Sequence, residues 1–128
     1  MPELDLVGIG LATFAGFLLS GAYYLVVAAR LAEVSGVAAE EETRRWIYAV
    51  ELIRTLVIVV VVAALVDLAN IEGFAGGALL GAVLWIGFPL MLWVGAILHE
   101  RTPLRLAAIH AVDWLIKLVV TAAIIAGI

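Results

Sequence analysis

Four long apolar runs, separated by short polar connections, divide the chain at 6–29, 46–69, 71–98 and 103–128. Each exceeds the roughly 20 mostly apolar residues that an α-helix, rising 1.5 Å per residue, needs to cross a hydrocarbon layer of about 30 Å. None of the runs alternates apolar with polar residues, as a spanning β-strand would. The pattern therefore predicts an all-α fold, an integral membrane four-helix bundle forming one domain over 1–128. Pro89 lies inside the third run and predicts a kink there. Thr102 followed by Pro103 reads as a cap and a first helical residue, which starts the fourth helix sharply.

Positive charge sets the expected orientation, because short loops rich in Lys and Arg stay in the cytoplasm. Arg30, Arg44 and Arg45 lie in the connection 30–45, and Arg101 and Arg105 lie at the third connection. The N-terminus, the turn 67–72 and the C-terminus carry no Lys or Arg. Both termini are thus expected on the non-cytoplasmic side, with 30–45 cytoplasmic. Tyr23, Tyr24, Trp46, Tyr48 and Trp93 agree, since they fall where an aromatic belt would sit at the cytoplasmic interface. The connection 30–45 contains a Ser35-Gly36 break and then Glu40, Glu41 and Glu42. Glu40 with Arg44 and Glu41 with Arg45 are spaced i to i+4, as in a solvated helical lead into the second span. Glu3 and Asp5 precede the first run, whereas a signal peptide begins basic, so this run is expected to remain as an anchor.

Composition supports lipid as the solvent. Hydrophobic residues make up 66% of the 128 and charged residues 14%, against about half and a quarter in soluble domains. The chain has no cysteine, which excludes disulfides, thiolate metal sites and thiol nucleophiles. The histidines, His99 and His110, and the scattered carboxylates lack metal-site spacing. No serine, histidine and acid arrangement and no glycine-rich phosphate loop is present. The expectation is therefore a protein that is not an enzyme, with no cofactor, no metal and no nucleic-acid partner.

The charges that remain are placed where they are expensive. Glu51 and Arg54 fall inside the second run, and His110, Asp113 and Lys117 inside the fourth. An isolated charge at the bilayer centre costs about 2.5 to 3.5 kcal/mol on insertion scales, so such residues pair or face water. Glu51 and Arg54 are spaced i to i+3, and His110, Asp113 and Lys117 at i, i+3 and i+7, giving each helix one polar stripe. Counted from the cytoplasmic end, Glu51 and His110 lie about 8 to 10 Å deep, and Arg54 and Asp113 about 12 to 15 Å. The matched levels predict pairing across the helices, Arg54 with Asp113 and Glu51 with His110 or Lys117. Two readings follow: pairs that fix helix register, or a proton or ion pathway in which Asp113 and Glu51 exchange protons, His110 shuttles, and Lys117 or Arg54 tunes them.

Small residues recur every fourth position in the first run, at Gly8, Ala12, Gly16 and Ser20, and in the third, at Gly73, Gly77 and Gly81. Such stripes let helix backbones approach closely in lipid. They serve either packing within one chain or the joining of chains into a homo-oligomer.

The segment Leu84-Trp85-Ile86-Gly87-Phe88, then His99-Glu100-Arg101-Thr102-Pro103-Leu104-Arg105-Leu106 and a late Ala126-Gly127, resembles a bacterial four-helix membrane family known as domain of unknown function 1761. The resemblance covers nearly the whole chain and includes Gly21-Ala22-Tyr23-Tyr24 at the end of the first helix, without the Gly-Pro that often follows there. It implies a four-helix bundle in the inner membrane and brings no substrate, cofactor or catalytic residue. The expected function is an oligomeric channel or transporter for a small ion or solute, working through Glu51, Arg54, His110, Asp113 and Lys117. The alternative is a structural or regulatory membrane component whose buried charges are fully paired.

Overall fold

The computed structural model describes residues 6–35 and 45–128, and for 28–35, 45 and 46 the helical backbone alone. The acidic residues Glu3 and Asp5, the Gly36 break and the lead containing Glu40, Glu41, Glu42 and Arg44 lie outside the described residues. Among those described, every element is helical: α1 (Leu6–Ser35), α2 (Arg45–Leu68), α3 (Gly73–Gly87), α4 (Pro89–Glu100) and α5 (Leu104–Gly127). With α3 and α4 taken as one segment, four stretches are long and apolar enough to cross a membrane, Leu6–Val27, Ile47–Leu68, Gly73–Glu100 and Leu104–Gly127.

α1 continues six residues beyond the expected limit of its apolar run, to Ser35. Hydropathy marks where lipid contact ends, whereas helix persists through Arg30-Leu31-Ala32-Glu33, all good helix formers. α2 stops in a tight turn. Asn70 adopts the left-handed conformation at φ 53°, its N–H bonds the Asp67 carbonyl at 3.2 Å, and the Ile71 N–H bonds the Val66 carbonyl at 2.9 Å. This is a Schellman closure, and Ile71 packs back on the cluster containing Val66.

Proline divides the third span at Phe88, where the kink is expected. The residue before a proline is driven from α-helical angles by the pyrrolidine ring, and Phe88 sits at φ −121°, ψ −76°. Hydrogen bonds still bridge the break, from the Phe88 N–H to the Leu84 carbonyl at 3.0 Å and from the Leu92 N–H to the Phe88 carbonyl at 2.9 Å. The expected cap at Thr102 is not formed. Pro103 is itself the N-cap residue of α5, no side chain caps the helix, and the Pro103 carbonyl accepts from Ala107 at 3.0 Å. Arg101, left-handed at φ 54°, has already turned the chain.

α5 is the axis of the bundle and packs against each of the other helices. The closest approach is to α3. A Cβ at Gly77 would lie under 3.0 Å from the Ala122 backbone, and one at Gly81 equally near that of Leu118. On the other side, Gly8, Ala12, Gly16 and Ser20 are all buried, and a Cβ at Gly16 would meet the Thr121 methyl at 3.0 Å and the Thr55 methyl at 3.2 Å. Both small-residue faces are therefore occupied inside the chain. Gly73 departs from its stripe: it is exposed, with nothing within 4 Å of an added Cβ, and its φ of 81° serves the turn into α3. Two apolar clusters fill the interior. Ile9, Ala12, Val59 and Ala63 join α1 to α2, and Val62, Val66, Leu118 and Ala122 join α2 to α5. Large apolar side chains such as Leu25, Val26, Leu92 and Leu104 are exposed outside them, as a lipid-facing surface requires.

Close approach of α3 to α5 predicts a steric contrast among glycines. Gly81→Val drives methyls into the α5 backbone and lowers stability by about 1 to 3 kcal/mol or more. Gly10→Ala, with nothing within 4 Å, leaves it unchanged or raises it by up to about 1 kcal/mol. Thermal or denaturant unfolding of the purified variants checks both, and equal losses at the two positions would contradict the packing.

Candidate functional site

The polar side chains gather at the end of the bundle where α1 finishes and α2 and α5 begin. α5 supplies His110, Asp113 and Lys117. α1, running the opposite way, supplies Ser20 and Tyr24 four residues apart on one helical face. α2 supplies Glu51, Arg54 and Thr55, and α4 contributes Trp93. Between them lies a half-open cleft of about 860 Å³ whose lining includes Glu51, Arg54, His110 and Asp113 together with aromatic rings.

The cleft ends at a buried ion pair. Asp113 is 4% exposed and Lys117 2%. The Lys117 Nζ lies 3.6 Å from Asp113 Oδ2 and 5.6 Å from the centroid of the Trp114 ring. Long side chains on a helix lean toward its N-terminus, so Lys117 reaches Asp113 one turn earlier without leaving its own helix. The other carboxylate oxygen is fixed from α1: Ser20 Oγ–H donates to Asp113 Oδ1 at 2.5 Å. Below the pair, Thr55 and Thr121 are buried. Their hydroxyls donate to the carbonyls of Glu51 at 2.9 Å and Lys117 at 2.5 Å, each within its own helix, while their methyls close on Gly16.

The expected pairing across α2 and α5 does not form. Arg54 bonds Glu51 within α2, with side chains 51% and 34% exposed. The cleft separates them from Asp113, and a partner three residues away needs no second helix to be positioned. Glu51 is thus not the partner of His110 or Lys117, nor Arg54 of Asp113. His110 instead meets α1 and α4. Its Nδ1 lies 2.7 Å from Tyr24 Oη, and its ring stacks on Trp93 at 5.0 Å between centroids and 14° between planes. Tyr23 Oη–H donates to the Ile109 carbonyl at 2.7 Å, and Trp85 Nε1–H to that of Ala111 at 2.8 Å.

Ser20, Tyr24, Trp93 and Trp114 therefore belong to the site, although the sequence marks the first as a packing residue and the next two as interface aromatics. One signal points to them. Ser20 and Tyr24 share a face of an otherwise apolar helix, and at matched depth that face meets His110 and Asp113.

The family model described as "Protein of unknown function (DUF1761)" matches residues 7–126. No curated protein and no solved structure matches the chain.

Breaking the buried pair from one side strands a charge, so Asp113→Leu or Lys117→Met alone should destabilise the fold by about 3 to 5 kcal/mol. The double variant should recover most of that loss, because two apolar side chains leave no charge to solvate. Unfolding of the two single variants and the double checks the coupling, and additive losses would contradict the pair.

Proposed function

We propose that this chain, which belongs to the DUF1761 family of proteins of unknown function, is a multi-pass membrane carrier that takes a small ion or solute into the cleft above Asp113. The observation that carries the reading is the blind end of that cleft. Asp113 lines it, Lys117 lies behind, and the next level down is closed by Ile9, Ala12, Val59 and Ala63, of which Ala12 and Val59 are 0% exposed. A dry apolar plug beneath a charged floor suits a carrier open to one side better than a continuous pore.

The exposure of the Arg54–Glu51 pair supports the same reading. Arg54 and Glu51 are partly exposed at a depth where lipid would oppose their charge, so an aqueous cleft is the physically favourable surrounding. The cleft lies toward the end of the bundle carrying Arg101 and Arg105, which the positive-inside tendency assigns to the cytoplasm, with both termini opposite. In this reading Asp113 is the binding carboxylate, Ser20 its positioning donor and Lys117 its resident counter-ion. A second reading has one specific support: Glu51 with Arg54 and Asp113 with Lys117 are already paired, each couple within its own helix, as a structural or regulatory component would require. Both small-residue faces are spent within the chain, so association between copies draws no support from them.

Flux separates the two readings. In proteoliposomes loaded with equal amounts of folded protein, Asp113→Asn should lower transport of small cations or solutes by about tenfold or more, if the carboxylate binds cargo. Unchanged flux with an intact fold would leave the structural reading. A reporter fused after Ile128 should be active on the non-cytoplasmic side, and cytoplasmic activity would reverse the assigned orientation.

A further inference from the structure

We infer that the cleft takes an organic cation with an apolar or aromatic body, and that this cation displaces the Lys117 ammonium from Asp113 and so releases the Lys117 proton. The inference deepens the carrier reading and rests on it for the route of entry; the binding and the proton release are equilibrium properties of the cleft.

The carboxylate is presented to the cleft, and its present cation is not. Asp113 is among the lining residues and Lys117 is not. A charge-assisted N–H···O bond is about 2.7 to 2.9 Å long, whereas Lys117 Nζ stands 3.6 Å from Oδ2. Ser20 holds only Oδ1. A cation arriving from the cleft therefore meets a carboxylate whose ion pair with Lys117 is loose. The walls suit such a guest. Phe17, Tyr24, Tyr48, Trp93 and Trp114 line the cleft, and aromatic faces attract ammonium groups. Lys117 already makes this contact with Trp114. The space is within the 300 to 1,000 Å³ typical of small-molecule sites.

The proton follows from burial. With a second cation on Asp113, two positive charges would share one carboxylate in a water-poor interior. Lysine, unlike arginine, relieves this by losing its proton. Bound cation replaces ammonium as the counter-ion, Lys117 remains as a neutral amine, and the proton leaves through the cleft, so the charge of the site is unchanged. The groups facing the pair do not offer Lys117 another anion. α1 presents Ser20, Tyr23 and Tyr24, α2 presents Glu51 already engaged by Arg54, α5 presents His110 and α4 presents Trp93. α3 has no titratable side chain.

The test uses the purified full chain in detergent and benzyltrimethylammonium, whose fixed charge carries no proton to give. Calorimetry in buffers of different ionisation enthalpy should show saturable binding with a proton released per cation, and an affinity that rises with pH. Benzyl alcohol should bind far more weakly. Lys117→Met should bind the cation without proton release, whereas Lys117→Arg, permanently charged, should weaken binding by about tenfold or more. Asp113→Asn should lose binding. If Lys117→Met does not elute as the parent does, Lys117→Gln replaces it. Absence of binding, binding without proton release in the parent chain, equal binding of benzyl alcohol, or unaltered binding by Lys117→Arg would each overturn the inference. Flux without proton-coupled binding would sink this inference and keep the carrier, whereas proton-coupled binding without flux would do the reverse.

Discussion

A lysine and an aspartate buried one helical turn apart constrain everything packed around α5. Removing either ion from water costs several kcal/mol even after relaxation, and their attraction offsets this only with added hydrogen bonds. The hydrogen bond comes from α1, through Ser20 on Asp113. For Ser20 to reach, α1 must lie close, and Gly16 one turn away makes room for the Thr121 and Thr55 methyls and the stem of Lys117. The threonines present methyls there because their hydroxyls are satisfied by carbonyls of their own helices. The small-residue face of α1 and the buried charges of α5 are thus two halves of one arrangement.

Hydropathy made the four membrane-length segments legible, because lipid selects each segment by its own composition. The break at Phe88 was legible for a similar reason, since Pro89 acts on its immediate neighbour. What the chain did not reveal was rotation. Matched depth suggested that Arg54 faces Asp113, yet depth along a helix says nothing about azimuth, and α2 turns Arg54 to Glu51 and the cleft. Tyr24 and Trp93 read as interface aromatics because that role depends on depth alone, whereas their contacts with His110 depend on two other helices. Periodicity misled once. Gly73 has the spacing of Gly77 and Gly81, but the turn before α3 claims it for a positive φ.

The polar interior is also graded along its length. Next to the cleft, His110 is held between Tyr24 and Trp93. At the floor, Asp113 and Lys117 are almost wholly enclosed. Deeper still, among the described residues, Thr13 Oγ1 is buried without a hydrogen-bond partner, and the Trp93 Nε1 near the cleft shares that condition. An unmade hydrogen bond of this kind costs about 1 to 3 kcal/mol. The two lie toward opposite ends of the polar ladder, so the packing is least complete where it meets the cleft and where it meets the apolar plug.

The closure at Asn70 gives the bundle a mechanical asymmetry. That end is stapled by paired backbone bonds and by Ile71 seated on Val66, while the cleft occupies the other. Glu51 stands about 28 Å from Asn70 along the chain axis of α2, so rocking α2 by about 5° about the staple would move the Glu51 level by about 2.5 Å. A small rotation at the turn would thus be read out at the cleft as a displacement longer than a covalent bond.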